Sequence, residues 1–308
     1  MSFSSEVKKE LISSEIDEDC IEAELAAIIR MNGLVSTNGA NTTLDIQTES
    51  AAIARRIFTL LKQIFPKSLE ILVRKKMRLK KNNIYIVRLR EDVNELLQTL
   101  QIEHENDGFE QADLLIALDT EKRRRAYLRG AFIARGSINN PETSSYHLEI
   151  FNLDQDHNNV LCDLLNMFSL KAKELQRRNG YIVYLKEANK IADFLRLIGA
   201  NNALFKFEDA RIVRDMRNSV NRIVNCETAN LNKTISASVR QVENIKLIQK
   251  TVGLDYLPER LQEIAKVRLD YPEVTLQELG KLIPSGELSK SGVNHRLKKI
   301  EEIAKTLQ

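Results

Sequence analysis

The 308-residue sequence has no tryptophan and only three cysteines, Cys20, Cys162 and Cys226, which lie far apart and form no C-x-x-C pair. Such an odd, dispersed set predicts reduced thiols in a cytoplasmic protein. No apolar run approaches the roughly 20 residues needed to cross a bilayer, and the charged start of the chain does not resemble a secretory signal. The sequence therefore predicts neither a membrane protein nor a disulfide scaffold.

Signatures of the common enzyme classes are also missing. The four histidines are scattered and have no metal-ligand spacing with Cys, Asp or Glu, so we expect no metal site. There is no G-x-S-x-G nucleophile motif, no phosphate-binding loop and no dinucleotide-binding glycine fingerprint. We therefore expect no small-molecule cofactor.

What the sequence does contain is an internal repeat. The segment LAAIIRMNGLVS, starting at Leu25, resembles LRGAFIARGSIN, starting at Leu128. Further on, IYIVRL from Ile84 resembles YIVYL from Tyr181. Hydrophobic periodicity predicts the same order in both copies: an apolar helix, two strands, an amphipathic helix, two strands and a closing helix.

Several positions within the repeat are predicted in more detail. The first helices span 23–33 and 125–136, and each ends at a glycine expected to supply left-handed backbone. The second hairpins are predicted to turn at Asn82-Asn83 and Asn179-Gly180. The closing helices are predicted at 93–100 and 188–198.

The two helix–glycine segments resemble the LAGLIDADG motif of homing endonucleases, and the repeated order of elements matches the fold of that family. The resemblance implies that the two motif helices pack side by side and that the strands form a saddle over the DNA major groove. Small residues on both helices would allow their backbones to approach closely: Ala23, Ala26, Ala27, Gly130, Ala131 and Ala134.

The same resemblance argues against nuclease activity. In that family the residue just before each motif glycine is an acid, which holds the divalent metals that activate water. Here Asn32 and Arg135 occupy those positions, and no acid occurs in 28–36 or 127–138. The sequence predicts a catalytically dead scaffold, and an active nuclease that uses other acids is the less favoured alternative.

A basic stretch at 74–90 offers a second type of DNA contact. It contains eight Lys and Arg residues and no acid, and several of them alternate along predicted strands. Such a face could follow a phosphate backbone; a solvated sheet face or a protein-binding platform are the alternatives. The candidate contacts are Arg74, Lys76, Arg78, Lys80, Arg88, Arg90, Arg177 and Arg178.

The C-terminal third loses the strand pattern and is predicted to be helical. Thr275 and Glu278 form a capping-box signature, and Ser289 is predicted to cap a final helix at 290–307. Two short helices joined by a glycine-containing turn are typical of a DNA-binding helix-turn-helix. The candidate DNA-binding residues are Thr275, Gln277, Ser289, Lys290, Ser291, Asn294, His295, Arg296, Lys298 and Lys299.

This combination resembles the WhiA regulators of Gram-positive bacteria, as do the stretches RNSVNRIVNCETANLNKT at 217–234 and SKSGVNHRLKKI at 289–300. We expect an α+β protein with two pseudo-symmetric αββαββα halves, at 1–103 and 104–205, and a helical region at 206–308 whose helix-turn-helix spans about 275–308. The resemblance implies a non-enzymatic, nucleoid-associated regulator of transcription that binds double-stranded DNA, with a role in cell division, chromosome segregation or sporulation. It also makes other transcription regulators or RNA polymerase candidate partners. A protein-interaction platform with incidental DNA binding is the alternative.

Overall fold

A computed structural model describes residues 2–38, 41–75, 83–102, 114, 117–143 and 145–307. The chain divides into two units, Met1–Arg214 and Asp215–Gln308, and each has its own hydrophobic core. Among the described residues, no helix combines the length and apolar character needed to span a membrane. The finer boundaries predicted near residues 103 and 205 stay predictions.

The first unit contains the predicted order of elements twice, preceded by helix α1 (Phe3–Ser13). The first copy comprises α2 (Glu18–Asn32), β1 (Gly33–Asn38), β2 (Asn41–Thr48), α3 (Ala51–Ile64), β3 (Leu69–Arg74), β4 (Ile84–Leu89) and α4 (Val93–Thr99). The second copy comprises α5 (Glu121–Arg135), β5 (Gly136–Ile138), β6 (Leu148–Asn152), α6 (Gln155–Met167), β7 (Lys173–Arg177), β8 (Gly180–Leu185) and α7 (Ala188–Leu197). The predicted α+β fold with two similar halves is confirmed.

Each copy folds its four strands into one antiparallel sheet with the same topology. The strand orders are β1-β2-β4-β3 and β5-β6-β8-β7. The registers also correspond, because Gly33 lies opposite Ile46 in the first sheet and Gly136 lies opposite Ile150 in the second. Ile46 and Ile150 are both buried in the core, as the predicted alternation requires.

Helices α2 and α5 pack so closely that small residues are required between them. A Cβ on Gly130 would lie 2.3 Å from the carbonyl oxygen of Glu24 and 3.1 Å from the Cβ of Ala27. Ala27 and Ala131 are fully buried. The side-by-side packing of the two motif helices, which the resemblance implied, is therefore present.

The glycines after these helices have a different role from the one predicted. Gly33 and Gly136 have φ of −76° and −71°, so both are in extended backbone and each begins the following strand. A Cβ would lie 2.5 Å from the carbonyl oxygen of Ile29 at the first glycine and 2.6 Å from that of Phe132 at the second. The prediction of left-handed caps was wrong; close packing against the last helical turn requires glycine here.

The β7–β8 hairpin turns one residue earlier than predicted. Arg177 pairs with Gly180, so Arg178 and Asn179 form the turn, and Gly180 follows with a φ of +148° that favours glycine. In the first copy, Asn82 of the predicted turn lies outside the described residues.

A buried carboxylate joins three helices of the first unit. The side chain of Glu24 on α2 is inaccessible to solvent and accepts hydrogen bonds from Arg56 of α3 at 2.7 Å and from Arg129 of α5 at 2.5 Å. Arg56 also donates to the carbonyl oxygens of Ile12 and Ser14. Buried charges persist only when they are paired in this way.

Helix α8 (Asn201–Thr251) begins in the first unit and ends in the second. It is followed by a short 3₁₀ helix (Leu254–Tyr256), α9 (Glu259–Asp270), α10 (Leu276–Lys281) and α11 (Lys290–Thr306). The core of the second unit is formed by one apolar stripe from each helix, and its fully buried members include Ile245, Ile264, Leu279 and Val293. Pro258 precedes α9 as its N-cap residue.

Candidate nucleic-acid interface

Helices α10 and α11 begin where the sequence predicts. The Thr275 hydroxyl accepts from the Glu278 backbone N–H, and the Glu278 carboxylate accepts from the Thr275 backbone N–H, which completes the capping box. The Ser289 hydroxyl accepts from the Gly292 backbone N–H at 3.2 Å and caps α11. Both predicted caps are confirmed.

The turn between α10 and α11 is longer than in the common motif but is held at several points. The Leu288 backbone N–H donates to the carbonyl oxygen of Gly280 at 3.0 Å, and a Cβ on Gly280 would lie 2.1 Å from the Leu288 carbonyl oxygen. Gly286 has a φ of +133°. Ser285 donates to the Glu263 carboxylate of α9 through its backbone and its hydroxyl. These contacts set the direction in which α11 leaves the turn.

The first half of α11 exposes most of the predicted DNA-binding residues. Val293, Leu297 and Ile300 are buried against α9 and α10. The residues between them are exposed, namely Lys290, Ser291, Asn294, His295, Lys298 and Lys299. Within the described part of the chain, no carboxylate forms an ion pair with any of these lysines, so their charge remains available to an anionic partner.

Arg296 lies on a different side of α11 from Asn294. It lies roughly 200° around the helix axis from Asn294, because each residue advances about 100°. Its guanidinium is half-buried and donates to the carbonyl oxygen of Arg260 on α9 at 3.4 Å. The base contact assigned to Arg296 stays a prediction, and this geometry favours Asn294 and His295 over Arg296 for that role.

A cleft of about 440 Å³ lies beside the exposed face of α11 and is bordered by α8, α9 and α10. Its cationic lining residues are Lys233, Arg240, Arg268, Lys290 and Lys298, and Glu301 is the acid among the described lining residues. Gln277 and Asn294, both predicted DNA contacts, also line it. The cleft thus extends the cationic surface of α11 onto α8.

Arg268 is the least expected member of this cleft, because only 2% of the residue is exposed. It donates to the carbonyl oxygen of Val274 at 2.8 Å, just before α10, whereas its Nε has no partner among the described residues. Burial lowers the pKa of Arg268 from its ordinary value. Lys233, Arg240 and Arg268 were not predicted from the sequence. For Arg268 the available signal was a charged residue in phase with the apolar stripe of Leu261 and Ile264.

In contrast to the lysines of α11, several of the cationic residues predicted on the sheets form ion pairs. Arg88 forms two 2.6 Å hydrogen bonds with Asp45 on the adjacent strand. Arg90 pairs with Glu70 at 3.1 Å, and Arg177 pairs with Glu149 at 2.6 Å. Of the remaining candidates, Arg74 and Arg178 are exposed, and Lys76, Arg78 and Lys80 lie outside the described residues.

The two positions that carry acids in the nucleases contact each other here. The Arg135 Nε donates to the Asn32 side-chain oxygen at 2.9 Å, and the guanidinium lies 5.7 Å from the centre of the Phe151 ring. A cation therefore stands at a position that the sequence resemblance equates with a nuclease acid, and Asn32 and Arg135 do not fit a divalent metal ion. In the described part of the chain, no group of three His, Cys, Asp or Glu side chains is arranged to hold a metal.

Family models match all three regions of the chain. The family model "WhiA N-terminal LAGLIDADG-like domain" matches residues 18–103, "WhiA LAGLIDADG-like domain" matches 124–217, and "WhiA C-terminal HTH domain" matches 220–304. The chain belongs to the WhiA family. The helix-turn-helix model therefore includes the part of α8 that borders the cleft.

Proteins that carry the WhiA name match this chain along its whole length. The chain is 61% identical over 311 residues to "Probable cell division protein WhiA" of Bacillus subtilis (strain 168), and the match covers 100% of this chain and 98% of the relative. It is 60% identical over 308 residues to the protein of the same name from Bacillus cereus (strain B4264). The crystal structure of full-length DUF199/WhiA from Thermatoga maritima is 28% identical, has a TM-score of 0.61 and covers 99% of both chains.

Proposed function

We propose that this member of the WhiA family binds double-stranded DNA through α11 and regulates transcription. The observation that carries the proposal is the exposed first half of α11, where lysines that form no ion pair with a described carboxylate flank Asn294 and His295. Asparagine can read adenine through paired hydrogen bonds, while lysines contact phosphates and fix the position of the helix. The relatives' name, probable cell division protein, directs the proposal towards genes of cell division at the nucleoid.

The proposal includes the loss of nuclease activity. Arg135 and Asn32 contact each other and leave no carboxylate at the former acid positions. Purified protein with magnesium or manganese is expected to leave supercoiled and linear DNA intact. Metal-dependent cleavage that a substitution in this chain abolishes would contradict this part of the proposal.

The test of DNA reading starts from a genome-wide map of bound sites, from which one specific duplex and its scrambled version are prepared. Asn294→Ala is expected to reduce the discrimination between the two by roughly 1–3 kcal/mol, because a base contact is lost. Lys299→Ala on the same helix is the matched comparison, because the loss of a phosphate contact is expected to weaken binding of both duplexes alike. Binding titrations measure both. If the parent shows no preference for its mapped site, the proposed function fails.

A further inference from the structure

A second cleft, of about 780 Å³, lies in the first unit beside the ends of the motif helices. Its walls come from α1, from the start of α3 and from the last residues of α2 and α5. Asn32 and Arg135, the two positions that the sequence resemblance equates with the nuclease acids, both line it. Clefts of this volume are typical of sites for small molecules.

Two cations in this cleft have no counter-anion among the described residues. The Lys8 ammonium lies 5.9 Å from the centre of the Phe132 ring, and no described acid or hydrogen-bond acceptor contacts it. Arg135 uses its Nε for Asn32, whereas its two terminal nitrogens have no partner among the described residues. Burial lowers the pKa of Lys8 to about 8, which reflects the cost of holding this ammonium without a partner.

The rest of the lining also favours an anion. Among the described lining residues, Lys8, Lys9 and Arg135 are opposed by one acid, Glu49. The N-termini of α1 and α3 border the cleft at Ser4 and Ser50, and the partial positive charge of a helix N-terminus attracts anions. Two helix N-termini and two cations without a described acidic partner thus line one cleft.

The surroundings distinguish a small ligand from a DNA backbone. Two of the sheet cations that a duplex could use are already engaged, because Arg88 pairs with Asp45 and Arg177 pairs with Glu149, whereas Lys8 and Arg135 lie in a cleft of the size of a small ligand. We propose that this cleft binds a small phosphorylated ligand whose phosphate is held by Arg135 and Lys8. The two positions that the resemblance equates with nuclease acids thereby line an anion site, and this inference is independent of the DNA reading assigned to α11.

The experiment uses the full-length protein and inorganic pyrophosphate as the probe, with sodium chloride at equal ionic strength as the salt control. Isothermal titration and thermal unfolding are expected to show saturable binding and a raised melting temperature at up to roughly 1 mM probe. Lys8→Met and Arg135→Gln are each expected to weaken binding about tenfold or more, because a charge-assisted hydrogen bond is lost. Arg135→Lys keeps the charge and is expected to retain part of the affinity.

Lys62→Met is the matched control, since Lys62 lies 5.7 Å from the Phe58 ring on α3 but does not line the cleft. It is expected to bind pyrophosphate like the parent. Each variant is compared with its own melting temperature without probe, so a folding defect is recognised directly. The proposal is overturned if no saturable binding occurs, or if Lys8→Met and Arg135→Gln bind like the parent. It is also overturned if these variants weaken binding of duplex DNA and not of pyrophosphate, because the phosphate source is then DNA.

Discussion

The sheets of the first unit and helix α11 of the second both carry predicted DNA-binding cations but differ in how these are engaged. Arg88, Arg90 and Arg177 each form an ion pair with a carboxylate on their own sheet. On α11, Lys290 and Lys299 have no ion pair with a described acid. A paired cation contributes to the structure of its own sheet, whereas an unpaired one remains able to release counterions from DNA.

The number of charged residues in a stretch of sequence therefore does not measure how much of that charge is available to bind DNA. The stretch 74–90 looks uniformly basic because its partners lie elsewhere in the chain: Asp45 comes from β2, far from Arg88 in sequence. We therefore expect changes to the paired charges to affect the stability of the first unit, and changes on α11 to affect DNA binding. Four measurements test this separation of stability effects from DNA-binding effects.

The largest expected effect is on the paired side of the comparison. Glu24→Gln leaves Arg56 and Arg129 buried without a counter-charge, so we expect the first unit to lose about 3–5 kcal/mol of stability. Chemical denaturation, monitored through the transition of the first unit, measures this. The control is Glu22→Gln on the same helix, where the pair with Arg123 is exposed at 3.5 Å and contributes at most about 1 kcal/mol. Equal losses for both variants would contradict the role assigned to Glu24.

Charge reversal on α11 is expected to have the largest effect on DNA binding. The double variant Lys290→Glu, Lys298→Glu should weaken binding roughly a hundredfold and lower the salt dependence, because phosphate contacts are lost and repulsion is added. The matched double variant on the sheets is Arg90→Glu, Arg177→Glu. We expect it to bind DNA within a few-fold of the parent. An equal loss of DNA affinity in the two double variants would contradict the proposed difference between the sheets and α11.

Low pH is expected to reduce the stability of the first unit through His157. Burial, with a smaller contribution from the charge of Arg30, lowers the pKa of His157 to about 3, and its ring bonds Tyr127 and Asn152. The unfolded chain binds this proton first, so the stabilisation is complete above the ordinary pKa of about 6.5 and is lost as the pH falls towards 3. At pH 5 we expect a loss of about 2 kcal/mol relative to pH 7.

Denaturation of His157→Gln across the same pH range checks this value. The variant should lack the acid-dependent loss, whereas His295→Gln, which changes an exposed histidine on α11, should retain it. An unchanged pH profile in His157→Gln would exclude His157 as the origin of the acid sensitivity.

The smallest expected effect concerns the part of α8 that borders the cleft beside α11. If a DNA phosphate enters that cleft, Lys233→Ala and Arg240→Ala should each reduce the salt slope by about one and leave discrimination between specific and scrambled duplexes unchanged. Lys246→Ala, on the same helix but outside the cleft, is the control. Titrations at several salt concentrations give the slopes. Slopes equal to that of the parent would limit the interface to the helix-turn-helix.

Local patterns predicted much of the fold. Apolar spacing identified the helices and the alternating strands, and the similarity of the segments from Leu25 and Leu128 identified the duplication. The capping box at Thr275 and the cap at Ser289 are short-range hydrogen bonds, so their residues lie within a few positions of each other and are visible in sequence. The replacement of both motif acids was visible for the same reason.

Contacts between distant residues were not accessible to that reasoning. The order of the elements, the repeat, the helix caps and the residue types at Asn32 and Arg135 could be read from the amino-acid sequence, because each is a local property. Which cations are neutralised and which remain available depends on what lies across a strand or against a helix face, so the folded structure was needed to establish it. The fold placed Asp45 beside Arg88, turned Arg296 towards Arg260 and brought Arg135 into the same cleft as Lys8.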